Sequence, residues 1–239
     1  MKKLSRRRFV QNLGIGVGAT AIAAALPSFK TDAEKKEKKY VGKKLNIALV
    51  GLGNYATYLA QGLETSQYCK LAGIVTGHPE KAAKWKKQYN IPDANIYNYQ
   101  NFDTIINNKD IDLVYVVLPN AMHKEYVIRA ANAGKHVIVE KPMATSVEDC
   151  EAMIAACKKA GVQLAMGYRL HYEPYHLEIK RLGQEKVFGQ VRLIEVSLGY
   201  KTGDPSQWRM HKALSGGGPL MNLGVYCIQA GRYVLGEDP

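Results

Sequence analysis

A lysine ends an apolar stretch in "HVIVEKPMATS", residues 136–146. Residues 136–139 have the pattern of a strand buried on both faces, and Glu140, Lys141 and Pro142 follow at once. In open α/β sheets, ligands bind in the crevice beyond the carboxyl ends of the strands. The position of Lys141 therefore predicts an ammonium group that faces a ligand.

A glycine turn follows an earlier strand. "LNIALVGLGNYA" places a strand before the pattern Gly51-x-Gly53-x-x-Ala56. The first glycine allows the tight turn, the second lets the backbone approach a pyrophosphate, and the small third residue lets the helix pack on the strand. The N–H groups at the start of that helix, near Asn54 and Tyr55, would face the anion. Such a motif is weak alone, but at the first strand of a βαβ series it predicts a dinucleotide site.

The end of the second strand bears on which dinucleotide binds. An acidic residue that binds the ribose 2′-OH is expected there, and Thr76 occupies the place, followed by His78 and Lys81. A missing carboxylate beside cations suits a 2′-phosphate, so the sequence favours NADP, with NAD as the alternative. A solvated basic helix face explains Lys84, Lys86 and Lys87 better, and for Lys81 the two interpretations are level.

Short apolar runs alternate with helix-like segments from Leu45 onward. We expect strands at 45–50, 71–75, 112–118, 136–140 and 163–168. We expect helices near 55–64, 79–89, 101–107, 121–133 and 146–160, the last opened by Thr145 and Glu148 in capping-box spacing. This alternation predicts an α/β fold with a doubly wound, Rossmann-type parallel sheet over residues 45–168.

The pattern changes after about residue 185. "VRLIEVSLGY" (191–200) alternates apolar and polar residues, which is typical of a strand with one open face in a mostly antiparallel sheet. An apolar helix follows "GGGP" (216–219). Since one strand cannot make a stable sheet, we interpret 169–239 as the start of an incomplete second α/β domain, and the chain as a fragment.

The positive charge is concentrated at the N-terminus. Of the formal net charge of +12, residues 1–29 carry +5 and 30–44 carry +4, which leaves +3 for 45–239. A nearly neutral body argues against a nucleic-acid partner. "SRRRFVQNL" (5–13) resembles a twin-arginine export signal, so we expect 1–29 to be a signal peptide, 30–44 a charged linker, and the protein to be periplasmic or otherwise exported. The apolar run at 13–26 is too short for a stable membrane span; an N-terminal anchor is the alternative.

The four cysteines (Cys69, Cys150, Cys157 and Cys227) show no metal-ligand spacing. An oxidising compartment permits disulfides, but nothing in the spacing requires one. The sequence predicts neither a metal site nor a disulfide.

The body of the chain resembles the Gfo/Idh/MocA oxidoreductase family. The resemblance rests on the glycine turn at 51–56 and on "VVLPNAMH", "VEKPMATS", "GYRLHYEP" and "QWRMHKALSGGGPLMNLGVYC", and it covers nearly all of 45–239. It implies a Rossmann domain followed by an α/β domain whose open sheet makes substrate and subunit contacts. It also implies a nicotinamide cofactor, a sugar or polyol substrate, and a homo-oligomer when the chain is complete.

The resemblance implies that Lys141 lies at the nicotinamide and binds the substrate oxygen. An ammonium there would stabilise a developing alkoxide. Tyr226 matches the acid–base position, and a phenol with a pKa of about 10 would need Lys141 nearby to act at neutral pH. Asn222, four residues earlier, departs from the aspartate of many members. Because an amide cannot take a proton, this departure puts the rate in doubt, although the side chain could still hold a sugar hydroxyl.

Further residues are implied in lesser roles. The expected nucleotide contacts add Tyr99, Leu118, Pro119, Asn120, His123, Glu140, Arg169, Trp208 and Arg209, of which His123 could equally be a helix-start histidine. The expected substrate contacts are Lys141, Arg169, Tyr172, Asn222 and Tyr226.

Three functions compete at this point. The first is an exported, NADP-dependent oxidoreductase that moves a hydride to or from a sugar or polyol carbon. The second is a glycosidase that oxidises its sugar transiently. The third, motivated by Asn222, is a non-catalytic nucleotide- or sugar-binding protein.

Overall fold

The computed structural model of the chain describes residues 40–202 and 204–237. The expected signal peptide and most of the expected linker lie outside these residues. All the elements below belong to the unit Gly42–Pro239.

The core of this unit is a six-stranded parallel sheet. The spatial order is β3-β2-β1-β4-β5-β6. The strands are β1 (Leu45–Val50), β2 (Cys69–Val75), β3 (Ile96–Tyr97), β4 (Leu113–Val116), β5 (His136–Glu140) and β6 (Leu164–Gly167). The predicted doubly wound sheet is confirmed, and the two-residue β3 is the strand that the sequence pattern did not predict.

The strand order reverses between β1 and β4, which pair in parallel with Val50 opposite Val116. At such a switch point, the connections leave in opposite directions and open a crevice at the carboxyl ends of the strands. The glycine turn after β1 and the Leu118–Pro119 segment after β4 both begin there.

Helices cover both faces of the sheet. The helices of this half are α1 (Asn54–Thr65), α2 (Pro79–Tyr89), α3 (His123–Asn132) and α4 (Val147–Ala160). On one face, Ala56 and Ala60 of α1 and Trp85 of α2 pack with Leu49 of β1. On the other face, residues of α3 and α4, such as Val127 and Met153, pack with Val114 and Val139. Since apolar side chains of the central strands point to both faces, these strands are nearly continuous apolar runs.

The C-terminal part of the unit is helical. It contains α5 (Pro174–Gln184), α6 (Lys212–Ser215), a π-helical turn (Leu220–Gly224) and α7 (Val225–Leu235). Single 3-10 turns occupy Arg169–His171 and Trp208–Met210. The π-helical turn interrupts the helix that the sequence predicted after "GGGP".

Three expectations about local structure were wrong. Residues 191–200 form no strand, because within the described residues no second strand follows Gly167 to pair with them. The helix expected at 101–107 is a 3-10 helix, Phe102–Asn107. The N-cap of α4 is Ser146 and not Thr145, since the Ser146 hydroxyl accepts a hydrogen bond from the Asp149 N–H.

Three further features of the described residues bear on the sequence expectations. All four cysteines are free. No group of three or more His, Cys, Asp or Glu side chains is placed to hold a metal ion. No helix combines the length and apolarity that crossing a membrane requires.

The N-cap of α4 gives a stability test. We expect Ser146→Ala to lower the free energy of unfolding by about 1 kcal/mol, because one orphan N–H of the first turn loses its acceptor. Urea denaturation followed by circular dichroism measures the change. Ser146→Asp, which keeps an acceptor, is the matched control and should stay close to the parent. Equal losses in both variants would contradict the cap.

Candidate active site

The glycine turn has the geometry that a nucleotide-binding turn requires. Gly51 has φ +94°, and a Cβ there would lie 2.6 Å from the backbone oxygen of Val117. Any side chain would therefore push β1 and β4 apart at the switch point. Gly53 differs, since a Cβ there would meet no atom within 4 Å. The protein leaves open space over Gly53, as a bound pyrophosphate requires.

Helix α1 begins at this turn without a capping side chain. Its N-cap is Gly53, and no side chain accepts from the first-turn N–H groups. The positive end of the helix dipole and these free donors make an anion site. Ala56 is fully buried against β1 and lets the helix approach the strand, so it shapes the turn without lining the cleft.

A cleft of about 740 Å³ opens over this turn. Most of the predicted site residues line it together. They are Gly51, Gly53, Asn54, Tyr55, Thr76, His78, Lys81, Tyr99, Leu118, Pro119, Asn120, Glu140, Lys141, Trp208, Arg209, Asn222 and Tyr226. These residues follow the carboxyl ends of β1, β2, β4 and β5 or belong to the C-terminal segment. The cleft therefore lies at the switch point of the sheet, where the strand order reverses.

One end of the cleft lies at the carboxyl end of β2. Thr76 is buried, and its hydroxyl accepts a hydrogen bond from the His78 N–H. His78 lies 3.2 Å from Glu80, and Lys81 also lines the cleft. The Tyr99 ring packs against Gly77, where a Cβ would come within 3.1 Å of it. This end therefore presents an aromatic face, an imidazole and the Lys81 ammonium.

Lys141 lies at the other end. Its Nζ donates to the backbone carbonyl of Asn222 at 2.8 Å and lies 4.4 Å from the centroid of the Tyr226 ring. Burial lowers the pKa of Lys141, and the nearby Glu140 carboxyl opposes this effect. The ammonium is thus partly desolvated and held against the C-terminal segment. The Lys141–Pro142 peptide bond is cis.

The charged groups around Tyr226 and its burial set the pKa of its phenol. Burial raises the pKa of Tyr226, the Glu140 charge raises it further, and Arg169 and Arg209 lower it. The Lys141 ammonium lies 4.4 Å from the centroid of the Tyr226 ring. The raised pKa favours the protonated phenol, which can donate a proton.

The backbone and the side chain of Asn222 make different contacts. Its amide donates to the Tyr200 hydroxyl at 3.2 Å, while its backbone carbonyl holds the lysine. Asn222 belongs to the π-helical turn, an irregularity that is frequent at functional sites. The amide and the Tyr200 hydroxyl together form a neutral polar pair.

Besides Ala56, three predicted residues do not line the cleft. His123 is fully buried, and its ring nitrogens lie 2.9 Å from the carbonyl oxygens of Leu118 and Pro142. It therefore ties two cleft segments together from behind and does not line the cleft, which favours the alternative interpretation as a helix-start histidine. Tyr172 is 81% exposed, outside the cleft, with its ring 6.2 Å from that of His171. Arg169 lies outside as well but acts electrostatically on Tyr55 and Tyr226.

Several cleft residues were missed by the sequence interpretation. They are Leu52, Val117, Asp204 and Gln207. Asp204 and Gln207 precede Trp208 in "GDPSQWR", so proximity to a predicted contact was the available signal. Asn120 was predicted as a contact but also joins two segments, since its buried amide donates to the Ser215 carbonyl at 2.8 Å.

Comparison with known proteins identifies the family. Residues 45–168 match the GFO_IDH_MocA family, described as an oxidoreductase family with an NAD-binding Rossmann fold. Residues 176–239 match the GFO/IDH/MocA C-terminal domain. The chain belongs to this family. The predicted resemblance is therefore confirmed, as are the Rossmann fold and the NAD(P) type of cofactor.

Several similar proteins are oxidoreductases named for their substrates or reactions. The D-xylose 1-dehydrogenase [NADP(+)] of Haloarcula marismortui is 30% identical over 209 residues, covering 85% of this chain and 58% of that protein. The crystal structure of aldose-aldose oxidoreductase from Caulobacter crescentus, complexed with glycerol, shares 47% identity with a TM-score of 0.80, over 82% of this chain and 59% of that one. The 3-ketoreductase KijD10 of Actinomadura kijaniata, with NADP, shares 25% identity with a TM-score of 0.72, over 81% and 58%.

A relative named for another reaction also matches. The 2,7-anhydro-N-acetylneuraminate hydratase of Escherichia coli is 30% identical over 198 residues, which is 82% of this chain and 50% of that protein. In each of these comparisons, the chain spans between half and three fifths of the relative's length.

The open space over Gly53 gives a test of the nucleotide site. We expect Gly53→Ala to weaken nucleotide binding about tenfold or more, because its methyl group would occupy space that the protein leaves empty. Since the Gly53 backbone is extended, the folded state should lose less than about 1 kcal/mol. Fluorescence titration with NADPH and thermal unfolding measure the two quantities.

Gly62→Ala is the matched control for that test. Gly62 lies in the same helix, also with nothing within 4 Å of a Cβ, but outside the cleft. It should leave nucleotide affinity unchanged and stabilise the helix by about 1 kcal/mol. A Gly53→Ala protein that binds NADPH like the parent would show that the nucleotide lies elsewhere.

Proposed function

We propose that this protein is an NADP-dependent oxidoreductase that transfers a hydride to or from a carbinol or anomeric carbon of a sugar or polyol. The observation that carries the proposal is the partly desolvated ammonium of Lys141. It lies at the carboxyl end of β5, in the cleft that begins at the glycine turn, and against Tyr226. The names of the similar proteins, a xylose dehydrogenase and an aldose-aldose oxidoreductase, support the substrate class.

Each residue has a defined task in this reaction. A bound nicotinamide accepts or supplies the hydride. Lys141 donates a hydrogen bond to the reacting oxygen and stabilises the negative charge that develops when the hydroxyl proton leaves. In the oxidising direction the Tyr226 phenolate takes up that proton, and in the reducing direction the Tyr226 phenol, whose pKa is raised, returns it to the alkoxide. The amide of Asn222 and the hydroxyl of Tyr200 hold neighbouring sugar hydroxyls.

The preference for NADP rests on the β2 end of the cleft. Thr76 brings no carboxylate to bind the 2′-OH, and Lys81 and His78 line the cleft at the end where a 2′-phosphate would lie. We expect Lys81→Ala to weaken NADPH binding about tenfold and to leave NADH binding unchanged, because only NADPH carries the extra phosphate. Fluorescence titrations with both nucleotides measure the ratio.

Lys84→Ala is the control for that variant, since Lys84 lies one turn along the same helix and outside the cleft. If both variants change the ratio of the NADPH affinity to the NADH affinity equally, the 2′-phosphate is not bound by Lys81. The nucleotide released from the purified, denatured protein gives independent information, and stoichiometric NADP or NADPH is the expected content.

Variants at Lys141 and Asn222 test the catalytic assignment. With D-xylose or glucose as substrate, Lys141→Met should reduce kcat about 100-fold or more, with a smaller change in nucleotide affinity, because the alkoxide loses its cation. Asn222→Asp should raise kcat about 100-fold by adding a proton acceptor. Absorbance of the reduced nicotinamide follows the reaction, and Asn222→Gln, which remains an amide, is the control.

These variants also separate an enzyme from a binding protein. A gain in Asn222→Asp would identify a slow enzyme. If neither the parent nor Asn222→Asp turns over any sugar while both bind NADPH, the protein is a nucleotide- or sugar-binding protein.

A second candidate is cleavage or hydration of a sugar through transient oxidation. The match to the 2,7-anhydro-N-acetylneuraminate hydratase favours it. In such a reaction, the hydride leaves the sugar and later returns to it, so no reduced nicotinamide accumulates. Product formation from a glycoside or anhydro-sugar with constant nicotinamide absorbance would identify this route.

Export and assembly belong to the same proposal. The paired arginines at residues 6–8 support twin-arginine transport, which moves proteins that are already folded and could carry a bound nucleotide across. Exposed apolar side chains on α5 and α7, such as Tyr175, Ile179 and Ile228, support a homo-oligomer. Cell fractionation and sedimentation measure these two properties.

A further inference from the structure

A buried polar pair lies behind Lys141, at the ends of two adjacent strands. The Tyr115 hydroxyl of β4 donates to Oε1 of Glu140 in β5 at 2.6 Å. Glu140 is 9% exposed, and its Oε2 accepts the Lys141 backbone N–H at 3.3 Å. The carboxyl group therefore connects the phenol of one strand to the backbone of the lysine in the next.

The third strand of this region leaves room for the pair. Gly167 of β6 lies opposite Glu140 in the sheet register. A Cβ at Gly167 would collide with the Tyr115 hydroxyl and come within 2.6 Å of the Glu140 carboxyl. Three neighbouring strands therefore form this pair. Strand β4 supplies the hydrogen-bond donor, β5 supplies the acceptor, and the glycine of β6 leaves the space that both side chains occupy.

We propose that Tyr115 is a positioning residue, which acts through Glu140 to hold the Lys141 ammonium charged and correctly placed. The inference rests on the proposed function, because it assigns Tyr115 a part in that hydride transfer. Tyr115 itself does not line the cleft.

The charges around Glu140 show how the effect would arise. Burial raises the pKa of the Glu140 carboxyl, and the hydrogen bonds from Tyr115 and the Lys141 backbone lower it. An ionised Glu140 in turn raises the pKa of Lys141 against the effect of burial. The hydrogen bond from Tyr115 therefore favours the charged forms of both neighbours.

The other ionisable groups near Glu140 come from different elements. Tyr55 of α1 and Tyr226 of α7 both interact with its charge, and burial together with that charge raises the pKa of each phenol. Arg169 lowers the pKa of both phenols, while Arg209 lowers the pKa of Lys141 and of Tyr226. Raised phenol pKa values keep these tyrosines neutral at neutral pH. The pH dependence of this region is therefore set by the charges of Glu140 and Lys141.

Tyr115→Phe removes the hydroxyl and keeps the ring. We expect the acid limb of the kcat profile to move to higher pH, because Glu140 without its donor takes up a proton more readily, and a neutral carboxyl no longer attracts the Lys141 ammonium into place. On that acid side, kcat should fall about tenfold, the usual value of a hydrogen bond to a charged group. The KM for NADPH should change little.

Tyr97→Phe is the matched control, because Tyr97 is a buried tyrosine of the same sheet whose hydroxyl accepts from Asn108 at 2.8 Å. It removes a hydrogen-bonded phenol outside the cleft, so it should leave the acid limb in place. A shift of the same size in both variants would indicate a general loss of packing and overturn the proposal.

A second measurement is independent of turnover. In protein labelled with ¹³C at the glutamate side-chain carboxyls, Glu140→Gln identifies the Glu140 signal, and its titration is compared between parent, Tyr115→Phe and Tyr97→Phe. A higher titration point in Tyr115→Phe alone supports the proposal, and identical titrations overturn it. If Glu140 responds as expected but the parent turns over no sugar, Tyr115 still positions Glu140 and the proposed function is wrong.

Discussion

The partial desolvation of the Lys141 ammonium is the constraint on which the site depends. A cation removed from water must gain compensating contacts, or it loses its proton. Here the contacts come from the Asn222 carbonyl, the Tyr226 ring and the Glu140 charge. These partners belong to two segments of the chain, so the ammonium also joins the C-terminal segment to the sheet.

The parallel sheet makes this arrangement possible. Because every strand runs in the same direction, the ends of β1, β2, β4 and β5 meet at one edge, and the reversal of order between β1 and β4 leaves a crevice there. Gly51 allows the two strands to approach, and buried His123 ties the segments after β4 and β5 together. The cleft is therefore supported from below by packed backbone, as a preorganised site requires.

The polar groups of the cleft differ in how well they are placed to bind a substrate oxygen or to transfer a proton. Lys141 is held by direct contacts, whereas burial and the Glu140 charge raise the pKa of Tyr226 more than Arg169 and Arg209 lower it. The Asn222 amide is turned toward Tyr200 and cannot accept a proton. This combination suits strong binding of a sugar oxygen better than rapid proton removal, which is why the rate of the proposed reaction depends on residue 222.

The sequence alone determined the alternation of strands and helices, the glycine turn, and the place of Lys141 at a strand end, because these depend on local periodicity and spacing. Prediction from the sequence failed where an element depends on contacts with other parts of the chain. Residues 191–200 have a strand pattern, but no strand pairs with them in the part of the chain that the structure describes. Ser146 rather than Thr145 caps the first turn of α4. Only the tertiary structure placed the Lys141 ammonium over the ring of Tyr226 and paired Tyr115 with Glu140. Those contacts join residues 85 and 25 positions apart, so they follow from sheet register and helix docking, which no local pattern specifies.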